Sequence, residues 1–150
     1  MNRTAAQDAQ ERCRALLEEQ TLAVLATSEQ GRPYTSLVAF AVTPDLRAML
    51  FATARDTRKH ANLTAEPRVS LLVDNRAQQN SDLQKGTAVT VLGRAETVEG
   101  SERERLQERF LARHPQLDAF VRSPSSALVR VRVEVYYLVS SFQQVVEIRL

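Results

Sequence analysis

Apolar residues recur at two different periods along this chain, and the switches between them mark out its elements. Over residues 4–19, Ala9, Cys13, Leu16 and Leu17 return at helical spacing, with Glu and Arg filling the other faces. The pattern then changes to alternating or continuous apolar stretches. Residues 21–27 (TLAVLAT), 34–42 (YTSLVAFAV) and 47–53 predict three strands. Their connections, Ser-Glu-Gln-Gly and Thr43-Pro44-Asp45, are short and carry Gly or Pro, which favours antiparallel neighbours. A short helix follows, with Asp56 or Thr57 as its N-cap, and Pro67 disfavours continuation past Glu66.

Residues 69–74 (VSLLVD) predict a fourth strand, and the polar, aperiodic residues 75–85 a loop. Residues 87–98 (TAVTVLGRAETV) form a long strand in which Gly93 suggests a bulge or bend. Ser101-Glu102-Arg103-Glu104 fits a capping box. The helix behind it runs to about Arg113, turns Leu106, Phe110 and Leu111 to the core, and stops at His114-Pro115. Residues 127–139 (ALVRVRVEVYYLV) alternate most clearly, and residues 144–150 (QVVEIRL) can add another strand. Mostly antiparallel strands with helices outside the sheet imply a mainly β, α+β protein built on a six-stranded antiparallel barrel with flanking helices. With no repeat, low-complexity segment or linker, residues 1–150 read as a single domain.

Composition narrows the function. Apolar content of 43% and charged content of 25% are ordinary for a globular protein. The 20 basic residues are interleaved with 18 acidic ones for a net charge of +2, so no basic tract points to nucleic acid. Cys13 is the only cysteine, which excludes an intrachain disulfide and fits a reducing compartment. The polar N-terminus and the lack of a bilayer-length apolar run lead to the expectation of a cytoplasmic protein with no membrane partner. His60, His114 and Cys13 have no zinc-ligand spacing, so no metal is expected. No catalytic residue can be named.

One segment carries chemistry. Thr53 ends a strand, and Thr57, Arg58 and Lys59 open the helix that follows. A helix start presents unpaired N–H groups and the positive end of the macrodipole, so adjacent cations there are unfavourable unless an anion uses both. Two hydroxyls, two cations and free N–H groups match a phosphate monoester. The plain alternative is a pair of solvated charges near Asp56 and Glu66. Lys59 and Lys85 are the only lysines, so one of them inside the cluster is informative.

Phe51-Ala52-Thr53, Thr57-Arg58-Lys59 and Glu66-Pro67-Arg68-Val69-Ser70-Leu71-Leu72 stand in gapless register. In this the segment resembles the signature of the pyridoxamine 5′-phosphate oxidase-like, FMN-binding split-barrel family. The resemblance implies a split barrel that dimerises with FMN in grooves between the subunits. It implies that the Thr57-Arg58-Lys59 turn holds the FMN phosphate, that Ala52 and Thr53 belong to the cofactor site, and that Ser36, Leu37 and Val38 lie along the flavin. It further implies a flavin-dependent oxidoreductase acting on a small-molecule substrate. Much of the oxidases' own substrate side is missing: Leu138-Val139-Ser140-Ser141-Phe142 stands where they carry a substrate-contacting Arg-x-His, Ser36 and Ala41 stand near the Arg and Lys of their second strand, and Ala88 near their flavin-contacting Gln. Another flavin-dependent reaction is therefore expected. The other activities the fold implies are heme binding or degradation, deazaflavin-dependent reduction and non-catalytic flavin binding. His60 reads as a helix surface residue that could border the phosphate, and His114 as a helix C-terminal residue. Of Tyr136 and Tyr137, one should face the core or a partner and the other could edge the groove. Val145, Val146, Ile148 and Leu150 need cover, a second reason to expect a homodimer.

Overall fold

The computed structural model describes residues 4–76, 86–140 and 144–150. Helix α1 (Ala5–Glu19) opens on a capping box: Thr4 Oγ1 accepts from Gln7 N at 3.1 Å, and Gln7 Oε1 accepts from Thr4 N at 2.9 Å. Strands β1 (Leu22–Glu29) and β2 (Arg32–Val42) form a hairpin whose two turn residues, Gln30 and Gly31, both have positive φ, the geometry that matches strand twist. Next come β3 (Ala48–Ala54), α2 (Arg58–Ala65), β4 (Arg68–Asp74) and β5 (Ala88–Val98). The predicted loop lies outside the described residues from position 77 to 85. Helix α3 (Gly100–Arg113), a 3-10 turn (Pro115–Leu117), α4 (Asp118–Arg122), β6 (Ser126–Ser140) and β7 (Gln144–Ile148) complete the chain.

The strands join antiparallel in the order β3-β2-β1-β4-β5-β6, and a β3–β6 pairing closes them into a six-stranded barrel. Strand β7 hangs outside it on the far half of β6. The long β6 makes closure possible: Ser126–Arg132 faces β3, whereas Tyr136–Ser140 has β7 on that edge. Where β5 meets β6, Leu92 pairs with Val135 and Gly93 with Val133, which leaves Glu134 as the extra residue of a bulge. Gly93 is thus the close-approach residue opposite the bulge, on the neighbouring strand.

Alternation puts Leu25, Val38, Phe40, Phe51, Leu71, Val91, Val131 and Leu138 inside, and α1 plugs one end with Cys13, Leu16 and Leu17. A second cluster lies outside the barrel wall, where Leu106, Phe110 and Leu111 of α3 pack on Ala41, Leu50 and Leu128. The expected capping box at Ser101 does not form. Gly100 has φ 66° and the helix starts two residues early, behind a Glu99 N-cap whose side chain makes no capping bond and pairs with Arg55 instead. His114 ends α3 as expected, but it is a core residue: its ring is 2% exposed, and Nε2 donates to Phe40 O at 2.7 Å.

Tyr136 is the inward member of its pair, and its hydroxyl donates to Leu46 O at 2.6 Å. Leu46 is itself buried and left-handed at φ 62°. Tyr136→Phe would leave that carbonyl unpaired at a strained residue, so we expect a loss of about 1–2 kcal/mol, read as a lower urea midpoint. Burial pushes the Cys13 thiol up from 9.0 to about 12. A raised native pKa stabilises fully below pH 9.0, and that contribution fades as pH rises toward 12. Wild-type protein is therefore expected to lose more stability across this window than Cys13→Ala, measured by urea unfolding on both sides of pH 9.0.

Candidate functional site

The barrel is open along one seam. The β2–β3 ladder holds only from Phe40↔Phe51 to Val42↔Met49, and beyond it the two strands part. From Arg32 to Ala39, β2 is paired on its β1 side alone, and Ala52, Thr53 and Ala54 on β3 are paired only with β6. Both open edges therefore offer backbone donors and acceptors to whatever enters the split.

Helix α2 starts where β3 ends, at the mouth of this split. Thr57 is its N-cap: Oγ1 accepts from His60 N at 3.3 Å and donates to Ala54 O at 2.9 Å, and Thr53 Oγ1 lies 2.9 Å away. The two threonines shape the turn. Thr53 is 2% exposed, so its role there is to hold the loop. Asn62 anchors the helix from below, donating to Thr27 Oγ1 at 3.1 Å in a buried bond to β1.

Arg58 and Lys59 thereby occupy the first turn of α2, which contains no acid. The Arg58 and Lys59 N–H groups have no partner among the described residues, as a helix start requires. Arg58 reaches across to the β1–β2 hairpin, where Nη1 meets Glu29 Oε2 at 3.1 Å and the guanidinium lies 5.8 Å from the Tyr34 ring centroid. Both charges of that pair are more than half exposed, so it is worth under about 1 kcal/mol and is readily exchanged for a better anion. Lys59 is half-buried and has no ion pair among the described residues. Glu66, once a candidate neutraliser, is bound to Arg68 instead, which lowers its carboxyl pKa.

Across the split, Ser36 Oγ is buried and has no hydrogen-bond partner among the described residues. Leu37 points out, 63% exposed, and Val38 points into the core, 5% exposed. Their side chains alternate, so one ligand could touch all three only along the backbone. Ala52 packs against the outer α3 cluster. His60 is half-buried, with Nε2 3.1 Å from Thr97 Oγ1. Glu29 carries no signal as a site residue in the sequence, and Tyr34 stands there only as the first residue of the predicted strand that holds Ser36, Leu37 and Val38. Among the described residues no cluster of His, Cys, Asp and Glu could hold a metal ion. No described helix is long and apolar enough to cross a membrane.

Comparison with known proteins places this geometry. The family model described as Pyridoxamine 5′-phosphate oxidase matches residues 9–140. No curated protein matches the chain. Among solved structures, a heme binding protein from Mycobacterium smegmatis superposes with a TM-score of 0.83 at 20% identity, over 99% of this chain and 59% of that one. Atu2129 from Agrobacterium tumefaciens, of unknown function, gives 0.69 at 25% identity, over 79% and 50%. A FAD-binding protein from Mesorhizobium loti gives 0.68 at 20% identity, over 85% and 91%. The chain thus spans 59% and 50% of the length of the first two.

Proposed function

The chain belongs to the pyridoxamine 5′-phosphate oxidase family, and from that premise we propose that it binds FMN in the β2–β3 split and acts as a flavin-dependent oxidoreductase on a small molecule. The observation that carries this reading is the start of α2: two cations, one of them unpaired among the described residues, on free helix N–H groups with no acid in the turn. A phosphate satisfies all of these at once. The partnerless Ser36 hydroxyl and the open β2 edge fit a ligand that continues down the split from that phosphate. Bound FMN supplies reversible redox chemistry at its ring, and the protein supplies binding, orientation and exclusion of water.

In this reading Arg58 and Lys59 hold the phosphate, Thr53 and Thr57 keep the turn in shape, and Ser36, Leu37 and Val38 with Ala52 border the remainder. Heme is the runner-up, since similar structures include a heme binding protein and a heme storage protein. It finds less support in this chain: His114 is committed to Phe40 O in the core, and Nε2 of His60 is engaged by Thr97.

We further read the working form as a homodimer with FMN between subunits. The outer face of β2-β1-β4 sets Leu37, Val24 and Leu72 in one cross-strand row. Leu22 and Leu92 add to it, and Val145 on β7 is 59% exposed. Contiguous apolar surface of this kind calls for a partner. The test is titration with FMN, followed by flavin fluorescence and by sedimentation. Saturation at one FMN per chain on a dimer is expected. A chain that leaves flavin fluorescence unchanged overturns the cofactor assignment, and one that sediments as a monomer while binding FMN overturns the shared groove.

A further inference from the structure

We propose a second anion site, separate from the flavin groove: an arginine-lined cleft that takes a soluble phosphorylated small molecule. The cleft has a volume of about 590 Å³ and opens between the β2–β3 turn, β6 and α3. It lies at the Ala48 end of β3, whereas α2 starts beyond the Ala54 end. At the rise of a β-strand the two sites are about 20 Å apart.

Five guanidinium groups line the cleft: Arg47, Arg105, Arg109, Arg130 and Arg132. Three carboxylates oppose them, Asp45 at the rim and Glu96 and Glu102 beside Arg130, which leaves an excess of two positive charges. The acids are already committed. Glu96 Oε1 accepts from both Arg130 Nε at 2.7 Å and Arg132 Nε at 2.8 Å, and Glu102 is held by Arg130. Arg130, whose side chain is 11% exposed, is therefore part of the wall.

The remaining donors are not spent. Arg47 has no ion pair among the described residues, and Arg105 comes only to 4.0 Å from Glu102 while 70% exposed. Arg109 donates Nε and Nη2 to Val42 O at 3.3 and 3.0 Å, which fixes the plane of its guanidinium and leaves Nη1 without a partner among the described residues.

The turn that carries Arg47 is held rigidly for the purpose. Asp45 Oδ1 accepts from the Thr43 hydroxyl at 2.7 Å and from Arg47 N at 3.0 Å. The left-handed Leu46 is pinned by Tyr136, and Pro44 O accepts from Arg14 at 2.5 Å. Pre-set guanidinium planes with unused N–H groups suit phosphate oxygens, which they can bind bidentately. An excess of two charges matches a phosphate monoester or a pyrophosphate, and the volume admits a ligand larger than phosphate alone.

The experiment is calorimetric titration of inorganic pyrophosphate into the full chain at fixed ionic strength, with circular dichroism as the fold control. Saturable binding is expected in the wild type. The double variant Arg47→Ala with Arg105→Ala, both exposed positions, should weaken it at least tenfold. Arg58→Ala with Lys59→Ala should leave it in place, so failure of the flavin reading does not touch this one. Absence of saturable binding in the wild type, or binding undiminished by the Arg47 and Arg105 changes, overturns the proposal.

Discussion

Gly93→Ala is expected to destabilise the barrel by about 3 kcal/mol or more, enough to remove much of the folded fraction of a marginal domain. A Cβ built at this position would lie 2.4 Å from Arg132 O and 2.8 Å from Val131 Cγ1. The first of these is backbone in the central β5–β6 ladder, so no side-chain rotation relieves it. The strands would have to separate at the bulge that Glu134 creates, beside the stretch of β6 that closes onto β3. Gly31→Ala supplies the contrast. A Cβ there would meet nothing within 4 Å, yet φ is +82°, so only the cost of a left-handed alanine remains, about 1 kcal/mol. Urea unfolding of the two variants should separate them clearly. Equal midpoints would show that strand spacing at Gly93 is not what the glycine protects.

Most of the architecture was legible because its signals are local. Period-two stretches gave β1 to β6, Thr57 and Pro67 bracketed α2, and Gly93 flagged an irregularity in the β5–β6 ladder, whose extra residue is on β6. What escaped depends on contacts remote in sequence. A histidine before proline reads the same whether its ring points out or in, and the carbonyl that draws His114 inward belongs to Phe40, 74 positions away. Helix α4 is only five residues and has no periodic pattern to detect; it is held by burial of Val121 in the outer cluster. The site was half legible in the same sense. Thr57-Arg58-Lys59 announced itself through a helix start, which is local chemistry. The split it overlooks exists because the β2–β3 ladder ends after Phe40↔Phe51, and no residue at that point is an unusual strand former. The arginine cleft gathers residues from α3, β6 and the β2–β3 turn, so interleaved charges in the sequence hid a concentrated patch in space.

The second large effect concerns the flavin reading. Arg58→Ala combined with Lys59→Ala is expected to weaken FMN binding by roughly a hundred- to ten-thousandfold, since each charge-assisted bond to phosphate contributes about 1.5–3 kcal/mol. Stability should barely change. The Arg58–Glu29 pair is exposed, Lys59 has no ion pair among the described residues, and removing two cations from the positive end of α2 relieves a dipole conflict. Riboflavin separates phosphate recognition from ring recognition, because it has the ring without the phosphate. Its weaker affinity should be nearly equal in wild type and variant. Raised salt should erode FMN binding in the wild type and leave the variant almost unaffected, as screening acts only where charges remain. If the double variant binds FMN as tightly as the wild type, the phosphate does not sit at the start of α2. A matching loss of riboflavin affinity would instead mean that the two cations shape the ring pocket, and the assignment of a phosphate clamp would have to be withdrawn.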